Sequence, residues 1–243
     1  LDYMKYQLVK ESPKYYQYLS NQFNADSIKV MKSQIEGWMK GFKKMYPEAV
    51  FPNVYIVPGL LNSGGTLSES GLYIGGDMYG RSDDMPLDGL NDWQKKVIMK
   101  TSDMPTIIMH ELMHFEQNYQ DPAMKHTVKG MVMGEGVADF LAELLSGKEF
   151  KNERTEFLND KDNWNMIVTD FKETRDTDDI SLWLFNGDNV EDRPGDLGYT
   201  LGQYIAKSYY NKCSDKKQAI YNLLNTDNVD EIYKESDYAY LLD

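Results

Sequence analysis

The sequence predicts a mostly helical α+β fold with one small β-sheet. Three observations predict it. Between residues 26 and 46, Ile28, Met31, Ile35, Trp38, Met39, Phe42 and Met45 recur at three- and four-residue steps, the period of an amphipathic helix. Segments 53–57 and 71–75 are short and rich in β-branched or aromatic residues, and Gly59, Gly64, Gly65, Gly75 and Gly76 punctuate them. From about residue 90 the pattern is helical nearly to the end.

Residues 1–22 are rich in Tyr, Lys and Gln, with a break at Ser12-Pro13, and open an N-terminal helical part over 1–49. The helix at 26–46 is stopped by Pro47. Its methionines, Met31, Met39 and Met45, read as core rather than as a partner groove. Residues 50–80 hold the sheet, with two or three strands and glycine-rich connections. Helices are expected near 91–100, 104–119, 128–146, 154–174, 197–211, 215–225 and 228–239. Asp121-Pro122 and Gly147-Lys148 read as turns, and 176–179 and 186–195 as loops. Asp176, Asp178 and Asp179 lack the ligand and glycine spacing of a calcium loop, so that run reads as solvated. There is no internal repeat and no low-complexity linker, so 1–243 is expected to be one domain.

The 243 residues carry 26 Lys+Arg against 39 Asp+Glu, a net charge of −13. That balance disfavours nucleic acid and anionic membrane surfaces as partners. No apolar run approaches the roughly 20 residues that span a bilayer. The single cysteine, Cys213, cannot form an internal disulfide. The chain starts at Leu1 rather than Met, which with the likeness described below leads to the expectation of an extracytoplasmic protein, secreted, periplasmic or lipid-anchored.

The chemistry is concentrated in Pro105-Thr-Ile-Ile-Met-His110-Glu111-Leu-Met-His114-Phe115. Residues four apart on a helix share a face, so His110 and His114 can bind one Zn²⁺. Glu111 points about 100° round from His110. It can reach a water at the metal without being a ligand, as a general base must. Ile107, Ile108, Leu112 and Phe115 are expected to bury the helix.

A catalytic zinc needs a third protein ligand and an open position. Gly134-Glu135-Gly136-Val-Ala-Asp139 supplies a candidate in Glu135, returned by a second helix. The flanking glycines are expected to keep side-chain bulk from the metal. Asp139, one turn on, can accept the free N–H of a ligating histidine. His126 is a rival third ligand without a matching motif.

His-Glu-x-x-His followed by Glu-x-x-x-Asp resembles the gluzincin metallopeptidases, the thermolysin-like and aminopeptidase-like clan. The metzincin pattern fails at Gln117 and Gln120. Gly198-Tyr199-Thr-Leu-Gly202 is similar to the helix that, in the aminopeptidase branch, carries an oxyanion-stabilising tyrosine. The resemblance thus implies Tyr199 as oxyanion donor, with Tyr204 the runner-up. That helix, with Gly64-Gly65-Thr66 and Gly71-Leu-Tyr-Ile-Gly75-Gly76, also resembles a group of predicted zinc-dependent proteases that includes gliding-motility lipoproteins. The likeness covers roughly residues 50–212. Two departures stand out: Glu116 replaces a usually apolar residue, and the Gly-x-Met-Glu-Asn exopeptidase signature is absent.

The resemblance implies a zincin-like domain with the sheet beside the His110–His114 helix. A zinc metallopeptidase is expected, with His110, His114 and Glu135 as ligands, Glu111 as base, Asp139 orienting a ligand, and a peptide or protein as substrate. An extended peptide would enter a cleft beside the sheet and pair with an edge strand. The alternatives are an inactive zincin-like lipoprotein serving in binding or assembly, and a non-catalytic, closed metal site.

Overall fold

The computed structural model describes residues 2–187 and 189–243. In chain order α1 (Asp2–Tyr6) runs into a π-helical turn (Gln7–Glu11) and is followed by α2 (Pro13–Gln22) and α3 (Ala25–Met45). Strands β1 (Val54–Val57), β2 (Gly65–Ser68) and β3 (Gly71–Gly75) come next. Then follow α4 (Asp92–Val97), α5 (Met104–Glu116), α6 (Ala123–His126), α7 (Val128–Ser146), α8 (Glu153–Asn159) and α9 (Lys161–Thr174). The chain ends with α10 (Leu197–Lys212), α11 (Lys216–Asn225) and α12 (Val229–Glu235). This is the mostly helical α+β fold with one small sheet.

The described chain divides into two compact units. One comprises the described residues up to Lys40 with Val50–Phe115, the other Gly41–Ala49 with Glu116–Asp243.

In the first unit the sheet order is β1-β3-β2. β1 pairs parallel to β3 in the register Val54↔Leu72, and β2 pairs antiparallel to it with Gly65↔Ile74. Gly71, at φ 141°, turns the chain into β3, and a methyl group there would run into the Asn53 carbonyl; only glycine fits. α2 begins with Pro13 in its first turn, where the missing N–H costs nothing. Its apolar side is made largely of phenols: Tyr15, Tyr16 and Leu19 are buried with Leu61, Met85, Leu90 and Ile98. Tyr15 donates to the Asp77 carbonyl at 2.5 Å and Tyr16 to the Gly59 carbonyl at 3.1 Å. The Asp77 carboxylate accepts the backbone N–H groups of Gly59 (2.8 Å) and Leu61 (2.6 Å), pinning the loop between β1 and β2. Along α3, Met31, Ile35 and Phe42 are buried, whereas Met39 and Met45, also read as core, are half-buried.

In the second unit α7 and α10 cross closely. A methyl group on Gly136 would fall inside the Gly202 backbone, and one on Gly202 inside the Val132 carbonyl. Thr127 caps α7, its Oγ1 accepting the Gly130 N–H at 3.2 Å, and Gly147 ends it in the left-handed region. The helix expected over 154–174 is two helices. Asp160 interrupts it, its carboxylate capping α9 by accepting from the N–H groups of Asp162 (2.9 Å) and Asn163 (3.1 Å). The helix expected to reach 119 ends at Glu116, because the next backbone N–H groups turn to other carbonyls: Asn118 donates to Leu224 at 2.8 Å and Gln120 to Thr226 at 3.1 Å. Within the acidic run, Asp176 is paired with Lys129 at 2.8 Å and Arg175 at 3.3 Å, and Asp178 is exposed. The loop expected over 186–195 includes residue 188, which lies outside the described residues. No helix among the described residues is long and apolar enough to cross a membrane.

Candidate metal centre

α5 carries the His-Glu-x-x-His motif. Ile108, Met109, Leu112 and Met113 are wholly buried, and that apolar face fixes the rotation of the helix about its axis. Phe115, expected to help bury the helix, is 42 % exposed; it lies seven residues after Ile108, on the same side of α5, but in the last turn, where the helix ends. His110 is buried and His114 half-buried. Their Nε2 atoms are 3.0 Å apart, with the rings at 85° to each other. Two imidazole nitrogens sharing a tetrahedral zinc at about 2.0–2.1 Å each would be separated by roughly 3.3 Å. The pair is therefore set close to chelation distance.

Glu111 is half-buried on the sheet side of α5. A methyl group on Gly65, in β2, would stand 3.2 Å from Glu111 Oε1. The sheet does lie beside the motif helix, and it does so through a residue without a side chain. The Tyr79 hydroxyl donates to the Gly64 carbonyl at 3.4 Å. Burial raises the pKa of this phenol, and the nearby Glu111 and Asp103 charges add to the rise. Tyr79 stays a neutral donor in the neighbourhood of the Glu111 carboxylate. Nothing in its spacing singled it out in the sequence.

In the second unit Glu135 and Asp139 are half-buried on α7. Of the two glycines around Glu135, Gly136 has a different reason from the one expected: it admits α10. The Gly134 carbonyl accepts from Gln117 Nε2 at 2.7 Å. The Gly198-Tyr199-x-x-Gly202 motif has the same cause: Gly198 and Gly202 let α10 pack on Val132 and Gly136 of the helix that carries Glu135. Tyr199 is held between Phe185, edge-to-face at 6.1 Å, and the Arg154 guanidinium, 5.6 Å from the ring centre. Burial drives its pKa far up, and the negative charges of Glu135, Asp196 and Asp139 push it further. Five residues on, Tyr204 points about 140° away round the helix. Burial also raises its pKa, and Thr155 lowers it in part.

Sequence reasoning missed a second tyrosine beside Glu135. Tyr119 has its hydroxyl buried with no hydrogen-bond partner. Burial raises its pKa strongly, and Glu135 is the charge that adds to it. Its ring packs beside Gly134. A lone tyrosine among eighteen gives no sequence signal. Glu116, the departure at the end of α5, is buried, and its charge is felt by the Tyr46 phenol.

His110, His114 and Glu135 form a group able to hold a metal ion. Each offers one ligand atom, and the three atoms lie within 4.8 Å of one another. Two imidazoles and one carboxylate suit zinc and leave a coordination position open. His126 is exposed at the end of α6 and is not part of this group.

Residues 93–230, more than half of the chain, match the protein family described as Predicted Zn-dependent protease (DUF2268). Comparison with curated proteins and with solved structures gives no match.

Proposed function

We propose, for a chain that belongs to the family of predicted Zn-dependent proteases, that it hydrolyses peptide bonds by the gluzincin route. The observation that carries this reading is the pair of imidazole nitrogens 3.0 Å apart on α5, in one metal-capable group with Glu135. His110, His114 and Glu135 would hold a zinc ion. Such an ion, when bound, acts as a Lewis acid on a carbonyl and lowers the pKa of water.

The remaining work belongs to the chain. Glu111 takes the proton of the attacking water and delivers it to the leaving amine. Its place against Gly65 of β2 limits where its carboxylate can swing. β2 is an edge of the three-stranded sheet, so an extended peptide adding to that edge brings its backbone past Glu111. Asp139 orients a ligating histidine by accepting its second N–H. Tyr199 donates its O–H to the scissile carbonyl oxygen as that oxygen gains negative charge. The raised pKa of this phenol keeps the proton available.

The test is a peptide-library digest by the parent and by Glu111→Gln. The substitution keeps the shape and removes the base. Hydrolysis is expected to fall by roughly 10²–10⁴-fold, the range for general acid–base catalysis, with zinc content unchanged. Equal rates would refute the role of Glu111. A parent that cleaves nothing would favour an inactive zincin-like protein acting in binding or assembly.

A further inference from the structure

The second unit contains a cavity of about 470 Å³ lined by Trp164, Tyr204, Tyr238 and Tyr240, with Asp160 and Asp237 also in its lining. Its volume falls in the range of small-ligand sites. We propose that this aromatic and acidic pocket binds an organic cation, a quaternary ammonium or guanidinium group.

The walls are held in place before any ligand arrives. The Trp164 indole N–H donates to the Tyr240 hydroxyl at 3.1 Å. Tyr238 packs against both of these rings, 5.8 Å from Trp164 and 6.4 Å from Tyr240, centre to centre. The C-terminal turn that carries Tyr240 is anchored by buried Leu241, whose carbonyl accepts from Arg175 at 2.5 Å. The Asp237 carboxylate is oriented by the Ser208 hydroxyl at 2.8 Å and by Lys212 at 3.2 Å. Tyr238 is half-buried, and burial pushes its phenol up to about 12. The Tyr238 ring is therefore neutral across the physiological range, and an aromatic face carries the negative side of the ring quadrupole.

Carboxylates and ammonium groups balance around the pocket, so the aromatic side chains of its lining set the sign of the ligand. Asp160 and Asp237 are exposed carboxylates of the lining, and Lys161 is its exposed cation. Asp237 shares its charge with Lys212, while Asp160 spends one oxygen on capping α9 and keeps the other. An anion would meet Asp160 and an aromatic lining that offers it no positive face. A cation held over an aromatic face is attracted to the ring and to the acids together. A quaternary ammonium or guanidinium group is weakly hydrated, so it loses little on leaving water.

The experiment follows the Trp164 indole N–H resonance in the full-length protein during titration with tetramethylammonium chloride. Methylguanidinium chloride forms a second arm, and sodium chloride and neutral tert-butanol are the controls. Saturable shifts are expected with one or both organic cations and not with the controls, and the stronger arm identifies the head group. Trp164→Leu, followed through Tyr238 and Tyr240, is expected to weaken binding by roughly 2- to 30-fold, the range of one cation–π contact. Asp237→Asn, which leaves every ring in place, is expected to weaken it as well. No saturable response to either cation, an equal response to tert-butanol, or unchanged affinity in both variants would overturn the proposal. None of these readouts involves zinc or peptide hydrolysis.

Discussion

Gly65 lies against the carboxylate of Glu111: a methyl group on its α-carbon would stand 3.2 Å from Glu111 Oε1 and 3.2 Å from Ile74 Cδ1. Ile74 is fully buried and cannot yield, so the carboxylate must. In Gly65→Ala, Glu111 is expected to move by a few tenths of an ångström. Positioning errors near 1 Å cost about 10²-fold, so a fall in kcat of roughly 3- to 30-fold is expected, with zinc content unchanged. Steady-state kinetics on a cleaved library peptide checks it, and an unchanged kcat would detach Gly65 from the base.

The crossing of α7 and α10 predicts an asymmetry among helix glycines. Alanine gains up to about 1 kcal/mol over glycine inside a helix. At Gly37 of α3 nothing lies within 4 Å of the added methyl, so Gly37→Ala is expected to stabilise the protein by about 0.5–1 kcal/mol. At Gly202 the methyl falls on the Val132 carbonyl, which is backbone and cannot rotate away. Overpacking there costs typically about 1–3 kcal/mol and sometimes more, which outweighs the gain. Denaturant midpoints should move in opposite directions for the two variants. A stabilised Gly202→Ala would contradict the crossing.

The two tyrosines of α10 separate by their surroundings. Tyr199 feels the charges of Glu135 and Asp139, whereas Tyr204 feels that of Glu143 and lines the aromatic cavity. Tyr199→Phe is expected to lower kcat by about 10²–10³, the usual effect of removing one oxyanion donor, with little change in KM or zinc. Tyr204→Phe is expected to do much less. Equal activity of Tyr199→Phe and the parent would end that assignment.

Much of this was legible in the sequence because it depends on spacing along one helix. The placement of His110 and His114 on one face follows from the 3.6-residue period, and α7, α10 and α11 fall within a residue or two of their expected bounds. Features that depend on contacts distant in sequence were not legible. Asp160 is a good cap only because the chain bends there to let it act. Gly136 looked like space for a metal and is space for Gly202. β2, of sequence GTLS, has almost no alternation of its own and takes its conformation from pairing with β3. α2 hides its core face in tyrosines, which read as polar until Tyr15 and Tyr16 are seen to be buried. Tyr79 and Tyr119 gain meaning only from the acids near them.

The central claim is that His110, His114 and Glu135 hold a zinc ion. Elemental analysis of the purified parent, His110→Ala and His114→Ala tests it most directly. The parent is expected to carry one zinc per chain, and each variant close to none, because a single remaining imidazole and a carboxylate do not hold zinc tightly. Stoichiometric zinc retained in both histidine variants would contradict it.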